Sequence, residues 1–254
     1  MDIYFRSCTT SYNQWGNSRP LVSSKAELTL VCLYSLLRSM RREVDQLIIV
    51  DDNSLPEHKI LMKKICNYFD VRYEIVESNG NSVWSTGTTT HKLMFESNSD
   101  IVYTVEDDYL HKSKAISAIE DFILNYNEYI CYPVENSDLY PTNYIQSPFK
   151  CDVYSSNILL TKYCHWRQVK TSTSVYAMTK NVFLKNYDDY LESLINQQNC
   201  IDHTQNKIYK ITPCFSPMPS LTGHISEMCL SLYGKWDKKY NYRLKELKKI
   251  IKIS

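Results

Sequence analysis

Two short apolar runs that end in carboxylates constrain the fold of this chain more than any other feature. Residues Ile101–Val105 are apolar, β-branched or aromatic without a break, and they run straight into Glu106, Asp107 and Asp108. Gln46–Val50 ends the same way, in Asp51 and Asp52. Such runs have the composition of strands buried on both faces, as in a sheet with helices above and below it. Carboxylates gathered at a strand exit repel one another and resist desolvation, so a cation should hold them. A divalent metal is the economical choice, because hard cations take few carboxylate oxygens. In open α/β sheets the ligand crevice lies outside the carboxyl ends of the strands, where both clusters fall. The plain alternative is a solvated acidic turn.

The remaining signals wind around those two runs. Ile3–Cys8 reads as a first strand, followed by a polar loop over Thr9–Pro20. Ser24 and Glu27 have capping-box spacing before Leu30, Leu33, Leu37 and Met40, which recur at helical intervals. Ser54, Pro56 and Glu57 open a second helix, Val71–Val76 alternates as a strand, and Ser85–Thr90 starts a helix ending near Ser97. Strand, helix, strand, helix, strand, helix, strand describes a wound α/β sheet. Farther on, Ser113–Tyr126 reads as a helix, Tyr129–Val134 as a strand and Glu135–Lys150 as a long polar loop. Thr173–Met178 follows as a strand, Lys180–Asn196 as a helical region broken near Asn186, and Lys207–Thr212 as another strand.

Composition removes several function classes. A formal charge of +1 argues against wholesale nucleic-acid binding. No apolar run approaches the ~18 residues of a membrane span, and the opening Met-Asp-Ile-Tyr-Phe-Arg lacks the layout of a signal peptide. Nine cysteines without a Cys-x-x-Cys pair suggest neither a zinc knuckle nor a disulfide framework, and suit a reducing cytoplasm. Only five glycines occur, and they assemble neither a Gly-x-Gly-x-x-Gly nor a Walker loop. Phosphate would therefore be met by a metal rather than by a backbone cradle.

Thr10-Ser11-Tyr12-Asn13 after the first strand, Asp51-Asp52-Asn53-Ser54 after the second and Glu106-Asp107-Asp108 after the fourth resemble family 2-type glycosyltransferases of the GT-A fold. The resemblance covers residues 3–108. It implies an α/β GT-A fold, a Rossmann-like single domain with a mixed central sheet. Residues 1–234 would form the catalytic domain, split into a nucleotide-sugar half over 1–108 and an acceptor half over 109–234. It also implies that Thr10 and Asp52 hold the base and ribose, and that Asp107 meets the ribose or sugar. Asp108 would bind Mn2+ or Mg2+ bridging the diphosphate. Glu106 replaces the first Asp of the family's Asp-x-Asp signature and could contact the nucleotide. A late histidine completes the metal site in some such enzymes, and His224, after the turn Pro217–Pro219, is the best placed; a lone surface histidine is the alternative.

The activity implied is a metal-dependent, inverting sugar transfer of the hexosyltransferase class. The donor would be a nucleotide-diphospho-sugar, commonly a UDP-sugar, and the acceptor hydroxyl would belong to a glycan, a lipid or a protein. Asp202 stands where similar enzymes place the catalytic base, with a helix cap as the alternative reading and Glu227 as the main competitor. Trp166 could stack on a sugar and Arg167 meet phosphate, although a core tryptophan fits as well. A phospho-receiver domain also begins with an acidic pair after an apolar strand, but such a domain is about half as long and carries a Met-Pro turn that is missing here. A sugar nucleotidyltransferase or a non-catalytic binding module could use the same sheet. Lys235–Ser254 carries eight basic residues against Asp237 and Glu246, with Leu244, Leu247 and Ile251 at helical spacing. This basic helix or tail either packs on the domain or lies on an anionic membrane, so the protein would be cytoplasmic, with peripheral membrane contact as the second option.

Overall fold

The first four strands fall close to where the apolar runs and the alternating Val71–Val76 predict them: β1 (Asp2–Ser7), β2 (Gln46–Asp51), β3 (Tyr73–Glu77) and β4 (Ile101–Glu106). Between them lie α1 (Lys25–Ser39), α2 (Pro56–Tyr68) and α3 (Val83–Glu96). This computed structural model describes residues 1–10, 21–22, 24–40, 44–78, 80, 82–135, 157–170, 172, 175–195, 207–225 and 234–251. Ser24 caps α1 as its spacing predicts, accepting from the Glu27 amide at 3.1 Å. Helix α2 begins differently. Its N-cap is Leu55 with Pro56 behind it, and Ser54 instead accepts from the Thr9 amide at 3.0 Å, tying β1 to β2.

β3, β2, β1 and β4 lie side by side in that order, all parallel, with Ser7 opposite Asp51 and Arg6 opposite Glu106. Ile3, Phe5, Leu47, Ile49, Val102 and Val105 are wholly buried. Parallel pairing puts every carboxyl end on one edge, so the acids after β2 and β4 share a rim. Between β1 and β4 the winding reverses direction, which opens a crevice at that edge.

The second half is built from shorter pieces. β5 (Tyr109–His111), α4 (Ala115–Asn125), β6 (Ile130–Cys131), β7 (Ile158–Leu160), β8 (His165–Val169), β9 (Tyr176–Thr179), α5 (Lys180–Lys185) and α6 (Tyr187–Ile195) come first. A helical turn α7 (207–211), β10 (Cys214–Met218), β11 (Thr222–His224) and α8 (Trp236–Ile250) complete it. β9 runs antiparallel to β4, and β6, β10, β8 and β7 extend the sheet to nine strands, so the central sheet is mixed. β5 and β11 pair apart from it as an antiparallel ribbon.

The strand predicted over Lys207–Thr212 is a helical turn. Ile208, Tyr209 and Ile211 suit a strand by composition, but the Thr212 amide bonds the Ile208 carbonyl at 2.7 Å, a helical i to i−4 closure. Asn186, where the preceding helix breaks as predicted, holds Thr212 Oγ1 at 3.2 Å from Nδ2. The strand itself comes one step later, at Cys214. Helix α8 lies along α1, with Trp236, Tyr240, Leu247 and Ile251 buried. Tyr240 donates to Glu27 at 3.0 Å and Tyr34 to Glu246 at 3.3 Å. Among the described residues no helix is long and apolar enough to cross a membrane.

Candidate active site

The three consecutive acids after β4 do not share one cation; each is held by a different partner. Glu106 ends the strand on the α3 face, where its carboxylate meets Arg6 Nη1 at 3.3 Å. Arg6 is itself buried and steadied by Thr86 Oγ1, 3.4 Å from Nε and 3.3 Å from Nη2. Burial raises the Glu106 carboxyl above its ordinary value, and the guanidinium opposes that shift. Asp107 turns to the opposite face. It pairs with Lys25 and accepts from Thr29 Oγ1 at 2.9 Å and the Cys8 amide at 2.9 Å.

Asp108 faces the crevice and meets His224, with Oδ2 and Nε2 3.3 Å apart. The approach depends on the β5–β11 ribbon. Its register sets His224 opposite Tyr109, and their rings stack with centroids 4.6 Å apart and planes 10° off parallel. The Ile225 amide bonds the Asp108 carbonyl at 2.9 Å, which fixes the exit of β11 against the turn. Glu135 is buried beside Ser220, accepting from its amide at 3.3 Å and donating its own amide to Ser220 Oγ at 2.7 Å. Gly223 is needed here, because an added Cβ would stand 2.4 Å from the Trp236 ring.

At the neighbouring strand end, Asp51 is locked by Ser7 Oγ at 2.7 Å, the Ser54 amide at 3.0 Å and Lys59 at 3.3 Å. Asp52 follows it, buried at the crevice floor, and accepts from Asn53 Nδ2 at 3.2 Å. Asn53 adopts a left-handed backbone, φ 58°, which Asn tolerates better than most residues. Thr10 is exposed above, its hydroxyl 3.3 Å from the Asn53 carbonyl.

Thr10, Asp52, Glu106, Asp107, Asp108 and His224 therefore gather on one edge of the sheet. Asp202 and its competitor Glu227 lie outside the described residues. Trp166 belongs to the core, packed on Phe122 at 4.4 Å and donating to Thr161 Oγ1 at 3.1 Å. Arg6, Lys25 and Thr29 were missed from sequence, though two left a trace. Arg6 is a charge inside an apolar strand, and Lys25 is a cation in the first turn of a helix, against the helix dipole unless paired.

A metal ion fits the donor set. Adjacent octahedral ligands at about 2.1 Å from an ion stand roughly 3 Å apart, close to the Asp108–His224 separation. Among the described residues no group of three His, Cys, Asp or Glu side chains is placed to hold a metal, so these two residues would leave several positions for phosphate oxygens and water.

No family model matches the sequence, and no curated protein matches it by sequence. Solved structures do match the fold. S. aureus TarS 1–349 superposes with a TM-score of 0.57 at 11% identity, over 87% of this chain and 58% of that one. GalNAc-T7, crystallised with UDP, GalNAc and Mn2+, gives 0.58 at 10% identity, over 88% and 43%. UDP-glucose pyrophosphorylase with UDP-glucose gives 0.52 at 10% identity, over 98% of both chains. The present chain thus spans little more than half of the first and less than half of the second. At such identities the likeness is one of fold alone, and the fold is of the GT-A type.

Proposed function

We propose that this chain transfers a sugar from a nucleotide-diphospho-sugar, a UDP-sugar in the first instance, to an acceptor hydroxyl on a glycan, a lipid-linked carrier or a protein. The observation that carries this reading is the pairing of Asp108 with His224 at the crevice between β1 and β4. A carboxylate and an imidazole brought together there from 116 residues apart suit Mn2+ or Mg2+ with a diphosphate. The uridine-nucleotide complexes formed by two of the structures sharing this fold support the same reading.

In this reading Asp108 and His224 hold the ion, which when bound supplies Lewis-acid stabilisation of the departing diphosphate. Thr10 and Asp52 take the base and ribose. Arg6 pairs with Glu106 and aims its carboxylate at the nucleotide. Both oxygens of Asp107 are engaged, so its part is to fix the turn that presents Asp108. We assign the general base to Asp202, which takes the proton of the acceptor hydroxyl as that oxygen attacks the anomeric carbon and inverts it. Asp202→Asn should lower turnover by about 10²–10⁴-fold with donor affinity nearly unchanged. If Glu227→Gln does so instead, the role moves to Glu227.

The full-length overlap with a pyrophosphorylase favours one second reading, a sugar nucleotidyltransferase, and the product separates the two. A thermal-shift screen of nucleotide sugars with and without Mn2+ tests binding, since a ligand at 100 times its Kd stabilises by about 2.7 kcal/mol. Release of free nucleoside diphosphate supports transfer. Release of pyrophosphate would replace it with nucleotidyl transfer, and no Mn2+-dependent shift with any donor would remove both.

A further inference from the structure

Helix α8 has two unlike faces. Trp236, Tyr240, Leu247 and Ile251 are buried against the domain, so the apolar stripe is spent on packing and cannot insert into a bilayer. The opposite face exposes Lys238, Tyr242, Lys245 and Lys249 at intervals of three and four, with Lys248 beside them. That stripe runs about 16 Å along the helix axis. Six cations against Asp237 and Glu246 give the helix a formal charge of +4, although the whole chain carries only +1. The other residues therefore sum to −3, and the positive charge is segregated onto this one element.

Glu246 is half-buried and engaged by Tyr34, Tyr242 and Arg243, which leaves Asp237 as the exposed acid of α8. Tyr242 is 57% exposed among the lysines, with the Arg243 guanidinium 5.6 Å from its ring centroid. Exposed Arg38 of α1 adds a further cation beside Tyr34. Lysines around a half-wet tyrosine are the composition of a headgroup-level surface rather than of an inserted helix.

We propose that the outer face of α8 docks this protein on an anionic phospholipid surface, by ionic contact alone and reversibly with salt. The helix start is rooted at the candidate site, because Trp236 packs on Gly223, the residue before His224. Its first turn is bonded through Tyr240 to Glu27, two residues from Lys25. Docking would thus set the crevice at a fixed height over the surface. The proposal does not rest on the donor reading, since binding needs neither nucleotide nor turnover.

Sedimentation of the full chain with vesicles tests it. The protein should pellet with phosphatidylcholine vesicles containing phosphatidylglycerol at about 0.1 M salt, not with pure phosphatidylcholine, and should be released near 1 M as the Debye length shrinks to about 3 Å. Replacing Lys238, Lys245, Lys248 and Lys249 by Gln should lower partition by about 10²-fold or more at unchanged melting temperature. A charge-matched control, with exposed Lys92, Lys170, Lys185 and Lys210 changed to Gln, should retain most of it. Equal loss in both variants, equal pelleting with neutral vesicles, or salt-resistant binding overturns the proposal. Retention on soluble polyphosphate without vesicle binding overturns it in favour of a dissolved polyanion.

Discussion

The ends of β2 and β4 are built to one plan and differ in one respect. Each strand closes on a pair of acids whose first member is locked by a hydroxyl, a backbone amide and a lysine. For Asp51 these are Ser7, the Ser54 amide and Lys59; for Asp107 they are Thr29, the Cys8 amide and Lys25. The second member is then held at the crevice. Asp52 accepts from its neighbour Asn53, whereas Asp108 receives an imidazole from far along the chain. A doubled acid thus separates two duties, one residue anchoring the turn and the next facing the ligand. In the proposed reading the added imidazole makes one such rim a place for a divalent ion, and the other serves as a hydrogen-bond acceptor for a sugar hydroxyl.

The sharpest way to break this comparison is to exchange the duties. Asp108→Asn should lower turnover by about 10²–10³-fold, and His224→Ala by a similar factor, with ligand-free melting temperature within about 1 °C of the parent. Asp107→Asn should do the reverse. It leaves Lys25 without its carboxylate and costs about 2–4 kcal/mol, a drop of roughly 5–10 °C. Asp51→Asn should match it, because its donor set is the same. Thermal melting beside turnover decides: if Asp108→Asn lowers stability as much as Asp107→Asn, the division of duties is wrong.

How far these duties could be read beforehand depended on the length of the elements. β1 to β4 carry five or six residues each, and β1, β2 and β4 are buried nearly throughout, so unbroken apolar runs mark them. β5 is Tyr-Leu-His and β11 is Thr-Gly-His, too short to show a period, and their pairing is set by partners more than a hundred residues apart. His224 was therefore visible only as a histidine behind a proline-rich turn. Its approach to Asp108 is a product of tertiary register. Lys207–Thr212 failed for another reason: its β-branched and aromatic composition suits a strand, but Asn186 and a local helical bond overrode it. Asp107 and Asp108 look alike in sequence, and the turn after β4 alone decides which faces α1 and which faces the crevice.

The smallest expected effect sharpens the same contrast on the ribbon itself, where two histidines stand on paired strands. His224 meets the site; His111, across the ribbon, is buried inside. His111 Nδ1 donates to the Tyr109 carbonyl at 3.1 Å, and Nε2 accepts from the Tyr103 hydroxyl at 2.9 Å, an arrangement that needs the neutral ring. Burial pushes its pKa down to about 3. His91, paired with Tyr176 and stacked on Tyr190, is likewise pushed down to about 3. A folded-state value depressed below the unfolded one of about 6.5 means the unfolded chain takes up the proton first. The stabilisation from each neutral ring is complete above that pH and is lost as pH falls toward 3. At pH 5 the loss from one such ring should be about 1–2 kcal/mol. His111→Gln can keep both hydrogen bonds without titrating, so its stability deficit relative to the parent should shrink between pH 7 and pH 5. Thermal melting at both pH values checks it: a deficit that is equal at pH 7 and pH 5 would remove the neutral-ring role of His111.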